Sequence, residues 1–201
     1  MTSRTNSAKV PVKVPAHGLE HAASPGHMLT NTAARALAVL RITTGFVFLW
    51  AFLDKTFGFG YSTPAERAWI NGGSPTKGFL SHVEVGPFQS IAHTIAGVWW
   101  ADILFMTGMA AVGAALILGI GLRVAAGSGA LIMALMWLAE FPLARLTATG
   151  EASGSTNPIT DYHVIYAVVL VVLAAGYAGH TWGLGRIWAR LPFVQRNRWM
   201  I

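Results

Sequence analysis

The sequence predicts an all-α integral membrane protein: a four-helix bundle with short helices in a long outer loop and a basic interfacial C-terminal segment. Three observations predict it. Hydrophobic residues make up 54% of the 201-residue chain and charged residues only 11%, where a soluble domain carries roughly 25% charged residues. The apolar residues gather in runs long enough to cross a bilayer, and the few charges lie between those runs or near their ends. The mean hydropathy of +0.52 points the same way. A disordered chain, a solvated nucleic-acid-binding domain and a soluble enzyme are excluded by the same composition. With no cysteine in the chain, disulfides, iron–sulfur clusters and thiolate metal sites are excluded as well.

Residues 1–34 are Ser/Thr/Pro/Ala-rich without a continuous apolar stretch and read as a flexible cytoplasmic tail. They lack the apolar core of a signal peptide. Thr30 or Thr32 is placed to cap the first helix. A span needs about 20 apolar residues, and four segments are read as spans, at about 36–57, 98–122, 124–143 and 162–179. Spans two and three touch at Gly121-Leu122-Arg123 and form an antiparallel hairpin. The outer loop, 58–97, is too long for a passive link. In it, Thr63-Pro64-Ala65-Glu66 reads as a capping box with Pro64 at the first helical position. Asn71-Gly72-Gly73 ends that helix, and two more short helical stretches follow Ser74-Pro75 and Pro87. The loop 144–160 is Ser/Thr/Gly-rich and expected to be mobile. In 181–201, Leu184, Ile187, Trp188 and Leu191 share one helical face beside Arg186 and Arg190, as in a helix lying on a lipid surface.

The charges are sorted. Ten basic residues and Glu20 belong to the tails and the short hairpin, while four basic residues and seven acids lie toward the other side, so +9 faces −3 and the sum is the formal +6. The positive-inside rule then places both termini in the cytoplasm. The basic balance reports topology and anionic lipid, with no nucleic-acid partner.

Ionisable groups within spans are costly and usually face the bundle interior or water. Each span carries one near its outer end: Asp54 with Lys55, Asp102, Glu140, and His163 preceded by Asp161. Asp54, Asp102, Glu140 and His163 fall within about one helical turn in depth. Trp50, Trp99, Met106, Trp137 and Tyr166 lie three or four residues from these groups, so each shares a face with one of them. Flat apolar surfaces beside proton-exchanging groups suit a quinone ring. Simpler roles exist for several of them. Trp99, Trp100 and Trp137 sit where an interfacial aromatic belt belongs, Lys55 and Arg41 can snorkel to headgroups, and Asp161 can act on the helix N-terminus alone. Haem is disfavoured because His163 alone lies inside a span, and no H-E-x-x-H spacing announces a metal site. The small-residue rows Ala111/Ala115/Gly119 and Ala126/Ala130/Ala134 read as close helix packing.

Several stretches carry a resemblance. They are Arg41-Ile42, Gly45, and the run Phe48-Leu49-Trp50-Ala51-Phe52-Leu53-Asp54-Lys55 in the first span. Ala68-Trp69-Ile70-Asn71-Gly72-Gly73-Ser74-Pro75-Thr76 and Gly78-Phe79-Leu80 follow in the outer loop. Asn157-Pro158, Asp161, His163 and Tyr166 open the last span, and Gly179-His180-Thr181-Trp182-Gly183-Leu184-Gly185 closes it. With these the chain resembles the DoxX/DoxD-like family of small four-span membrane proteins from about residue 35 to 188. It is most similar to the DoxD type, the membrane subunit of thiosulfate:quinone oxidoreductase.

The resemblance implies a bacterial plasma membrane protein that oxidises thiosulfate to tetrathionate and passes electrons to membrane quinone, with a second small redox subunit. On this reading Asp102, Glu140 and His163, with Asp54, exchange protons. Trp50, Trp99, Met106, Trp137 and Tyr166 border the quinone, and Lys55, Arg145 and Lys77 attract an anionic donor. Two other readings are a non-catalytic membrane anchor of a redox complex and, less favoured for want of inverted repeats, a small-solute transporter. Homo-oligomerisation is left open.

Overall fold

The hydroxyl of Thr30 accepts a hydrogen bond from the Ala33 amide at 3.2 Å, and with that cap the first helix begins. The computed structural model describes residues 30–201. The expected tail therefore lies outside the described residues up to position 29, and 31–34 belong to the helix instead. This helix, α1 (Asn31–Phe57), ends where Gly58 turns into the left-handed conformation at φ 68°.

The outer loop contains 3-10 turns at Ala65–Arg67 and Trp69–Asn71, then α2 (Lys77–Leu80) and α3 (Gln89–Ile95). Short helices were expected there, but the capping box does not form. Pro64 occupies the N-cap position of a single 3-10 turn, and no side chain caps it. Helix α4 (Trp99–Leu118) and helix α5 (Leu122–Glu140) follow. Their hairpin turns through Gly119 and Gly121, both at positive φ. Helix α5 stops at Glu140, short of the expected 143, because Phe141 takes φ 44° and Pro142 follows it.

Helix α6 (Tyr162–Ala175) has 14 residues, a rise of about 21 Å against a hydrocarbon core of about 30 Å. Tyr177 at φ 50° breaks it, and a 3-10 turn at Ala178–His180 continues the chain. Three helices, α1, α4 and α5, are thus long and apolar enough to cross a membrane. The fourth expected span divides into a shorter helix and a turn.

The four helices pack in sequence, α1 on α4, α4 on α5 and α5 on α6, with α6 also touching α1. Phe48, Val112, Leu116, Met133, Leu170 and Leu173 meet in one buried core. The outward faces are apolar too: Leu104, Leu131 and Val168 are 69%, 60% and 55% exposed. A helix apolar on all sides needs an apolar surrounding, so a lipid bilayer is the environment these faces fit. Among the described residues the only β-pairing is an isolated bridge between Leu146 and Ala152.

The rows read from the sequence hold in part: Ala126 is in the buried core, and Gly119 packs directly on Gly179. Ala111 is exposed and Ala115 half-buried. A Cβ at Gly113 would instead lie 2.7 Å from the Leu49 backbone nitrogen, so the glycine lets α1 and α4 touch. Small contact residues of this kind are how helices gain packing energy where lipid removes the hydrophobic drive.

Arg41 corrects another expectation. Rather than snorkelling it is wholly buried (0% exposed). Its guanidinium donates to the carbonyls of Leu116 and Ile117 at the end of α4 and of Thr181 and Trp182 after the last turn. Four carbonyl oxygens converge there, and the rigid guanidinium fork donates to all of them together.

The C-terminal segment is not one continuous helix. Pro192 breaks it into α7 (Gly185–Trp188) and α8 (Pro192–Arg196), since Pro cannot donate within a helix. Trp188 turns inward and donates to the Met200 carbonyl, while Leu184, Ile187 and Leu191 remain exposed.

Candidate functional site

The four ionisable groups expected at one depth do not form one cluster. Asp54 is 1% exposed and Asp102 6%, and both are engaged by the outer loop. Asp54 accepts from the Ser62 amide at 3.0 Å, the Ser62 hydroxyl at 2.7 Å and the Tyr61 amide at 3.4 Å. Asp102 accepts on a single oxygen from the Ser74 hydroxyl at 3.0 Å, the Thr76 amide at 2.8 Å and the Thr76 hydroxyl at 2.6 Å. A buried carboxylate needs such donors to offset its lost hydration. These two aspartates fasten the outer loop onto α1 and α4.

Glu140 and His163 do come together, at the junction of α5 and α6. Asp161 is the N-cap of α6: one oxygen accepts from the His163 and Val164 amides at 3.0 and 3.2 Å. Its other oxygen meets His163 Nδ1 at 2.8 Å. Glu140, the last residue of α5, lies 3.9 Å from the same nitrogen through one oxygen and accepts from the Tyr162 hydroxyl at 2.7 Å through the other. The Tyr162 ring lies against the imidazole, with centroids 4.0 Å apart. His163 itself is 1% exposed.

An ionised carboxylate only accepts, so its bond to Nδ1 places a proton there. In the neutral ring Nε2 then carries a bare lone pair. That atom is buried and has no hydrogen-bond partner. The ring geometry directs it away from the two carboxylates.

On the outer side the cluster borders an open cleft of about 420 Å³. The end of α5, the start of α6, the 78–85 stretch and the 147–157 loop form its walls. The loop expected to be mobile is internally tied, with Ser153 and Ser155 donating to the carbonyls of Ala144 and Pro142 at 2.7 Å each. Glu84, Glu140 and Asp161 line the cleft together with His82, and no Lys or Arg does.

The other expected site residues are dispersed. Trp50 packs against Phe46, Phe59 and Tyr61. Trp99 is 73% exposed and Met106 fully buried. Trp137 donates to the Ile159 carbonyl at 3.1 Å, which steadies the strand of chain entering α6. Tyr166 is half-buried and meets Phe48 edge-on. Lys77 and Arg145 are exposed and Lys55 is half-buried, all outside the cleft lining.

Tyr162 was missed by sequence reasoning, and Asp161 was grouped with His163 but given no role of its own beyond the helix end. The signal for Asp161 was present: an N-cap carboxylate that bonds the amide two residues on lies beside that residue's side chain. Tyr162 gave none, because its partner Glu140 is on another helix. No family model matches the chain, and no curated protein or solved structure matches it.

Proposed function

We propose that the chain is a four-span protein of the bacterial plasma membrane with both termini cytoplasmic, acting as the quinone-reactive subunit of an oxidoreductase. Thiosulfate, which the DoxD resemblance implies, is the first donor to test, and a second redox subunit is the partner it implies. The observation that carries this reading is the Asp161–His163 pair with its buried, unpartnered Nε2.

A quinone takes up two electrons and two protons on becoming a quinol, and two thiosulfates release two electrons on joining as tetrathionate. In the proposed site Asp161 fixes the ring through its bond to Nδ1, as a carboxylate does behind a general-acid histidine. His163 Nε2 donates the proton inside the bundle. Glu140, which meets both the cleft and Nδ1, takes up protons from outside, and because Nδ1 already holds its own proton the ring must turn over to carry a new one inward. Tyr166, one turn along α6 and in contact with Phe48, gives an aromatic surface on the same face. The acidic cleft repels anions, so Lys77 and Arg145 would meet an anionic donor elsewhere on the outer surface.

The test is reduction of a short-chain quinone by purified full-length protein, with thiosulfate and a panel of other donors. Loss of an acid–base group costs ~10²–10⁴-fold in rate, so His163→Gln and Asp161→Asn should fall by that much with helicity retained. Equal turnover in both variants refutes the assignment. An absorption spectrum of the same preparation decides whether haem is bound.

The anchor reading has its own support, because Asp54 and Asp102 are spent on holding the loop. It predicts a partner whose full quinone reduction survives removal of this chain.

A further inference from the structure

The cluster at the mouth of the cleft has ligand chemistry that proton exchange alone does not use. We propose that Glu140, Asp161 and His163 form a binding site for a divalent cation of the zinc class, reached from the outer cleft.

One ligand atom from each residue lies within 4.8 Å of the other two. Two ligands of a tetrahedral zinc ion at about 2.1 Å stand roughly 3.4 Å apart. The separations are 2.8 Å from His163 Nδ1 to Asp161 and 3.9 Å from Nδ1 to Glu140, each about half an ångström from that spacing. The two carboxylates, within 4.8 Å of one another, must draw together by up to about 1.4 Å. One imidazole with two carboxylates is a zinc-like donor set, harder than a thiolate site and softer than an all-oxygen one. The three residues come from two helix ends, which explains why no contiguous motif announced them.

Charge and access favour a cation independently of the spacing. Among the described residues neither carboxylate forms an ion pair with a Lys or Arg; their only ion-pair contact is the buried His163. Two carboxylates on one imidazole leave net negative charge unbalanced at the end of α5. Glu140 and Asp161 both line the cleft, so a hydrated ion reaches them and keeps water in the remaining positions.

Such an ion would compete with the proton on Nδ1. With the metal there, the ring proton sits on Nε2, and the pinned imidazole can neither carry a second proton nor turn over to exchange with Glu140. This consequence rests on the quinone reading: zinc would then suppress quinone reduction reversibly. The binding site itself does not depend on turnover.

The full-length protein is stripped with chelator and titrated with zinc alone, by calorimetry and by equilibrium dialysis. One equivalent should be lost, or weakened about 100-fold, in Glu140→Gln and in Asp161→Asn, the upper end of what losing even an outer-shell partner costs. Zinc held elsewhere, as by His17, His21 or His27, is retained in both variants. Cobalt bound in zinc's place should show the absorption bands of a nitrogen–oxygen site that vanish in His163→Gln. Unchanged zinc stoichiometry and affinity in Glu140→Gln and Asp161→Asn, both checked for native helicity, would overturn the proposal whether or not quinone is reduced.

Discussion

Asp102 carries the outer loop on one oxygen atom, and two substitutions separate the oxygen from its charge. In Asp102→Ala the Thr76 amide loses its acceptor inside the protein. An unsatisfied buried donor costs about 1–3 kcal/mol and a hydrogen bond to a charged group contributes about 1.5–3 kcal/mol. The Ser74 and Thr76 hydroxyls can rotate, and Thr76 Oγ1 also receives the Gly97 amide at 3.3 Å, so the three bonds do not add in full. The expected loss is about 3–5 kcal/mol. Asp102→Asn keeps an oxygen where Oδ1 stands, and all three donors point at that atom. Charge-assisted bonds are about twice as strong as neutral ones, so the asparagine variant should lose roughly half as much. The assay is thermal unfolding in detergent followed by circular dichroism, with trypsin cleavage after Arg67 and Lys77 as the local readout. The alanine variant should melt lowest and be cut fastest, with asparagine between it and the parent. If the asparagine and alanine variants behave alike, or alanine leaves the loop protected, the reasoning is refuted.

Arg41→Met should destabilise by about 3–5 kcal/mol, because several carbonyl oxygens lose their only side-chain donor, and Arg41→Lys should recover only part of it, since a point ammonium cannot match the fork; detergent melting curves measure both. Gly113→Ala places a methyl against the Leu49 backbone and should cost about 1–3 kcal/mol by overpacking, read from the same curves. Tyr162→Phe removes one bond to Glu140 and should cost only about 0.5–1.5 kcal/mol, while leaving the zinc equivalent in place because the phenol is not a ligand in the proposed site. Asp161→Ala removes a helix cap and should cost about 1–2 kcal/mol; a melting point equal to the parent's would show that the cap carries no load.

The first three long apolar helices were legible because a bilayer would impose length and apolarity on each helix separately, and these are local properties of sequence. The end of α5 was misplaced by three residues because hydropathy runs on through Phe141 and Leu143, whereas the backbone has already turned. The fourth span lost its continuity for the same reason at Tyr177. Position along the helix was also legible: Asp54, Asp102, Glu140 and His163 each lie within about one turn of a helix end. Position does not say which way a side chain points or what it meets. Asp102 was read as a proton carrier, yet Ser74 and Thr76, 28 and 26 residues away in the chain, occupy it. Glu140 reaches His163 only because α5 and α6 pack together, a pairing that no window of sequence contains. Arg41 failed in the opposite sense, since an arginine inside an apolar helix was expected to extend toward the headgroups and here finds carbonyls 75 and more residues later.

That last separation bears on how the protein is made. Helix α1 enters the membrane long before residues 181 and 182 are synthesised, so its guanidinium first sits there without its final acceptors. Until they arrive the Leu116 and Ile117 carbonyls of α4 are the acceptors available to it. Closing the fork over Trp182 therefore marks completion of the chain's assembly, and a ribosome stalled before Thr181 should leave a first helix that quality control can recognise by its incompletely matched charge.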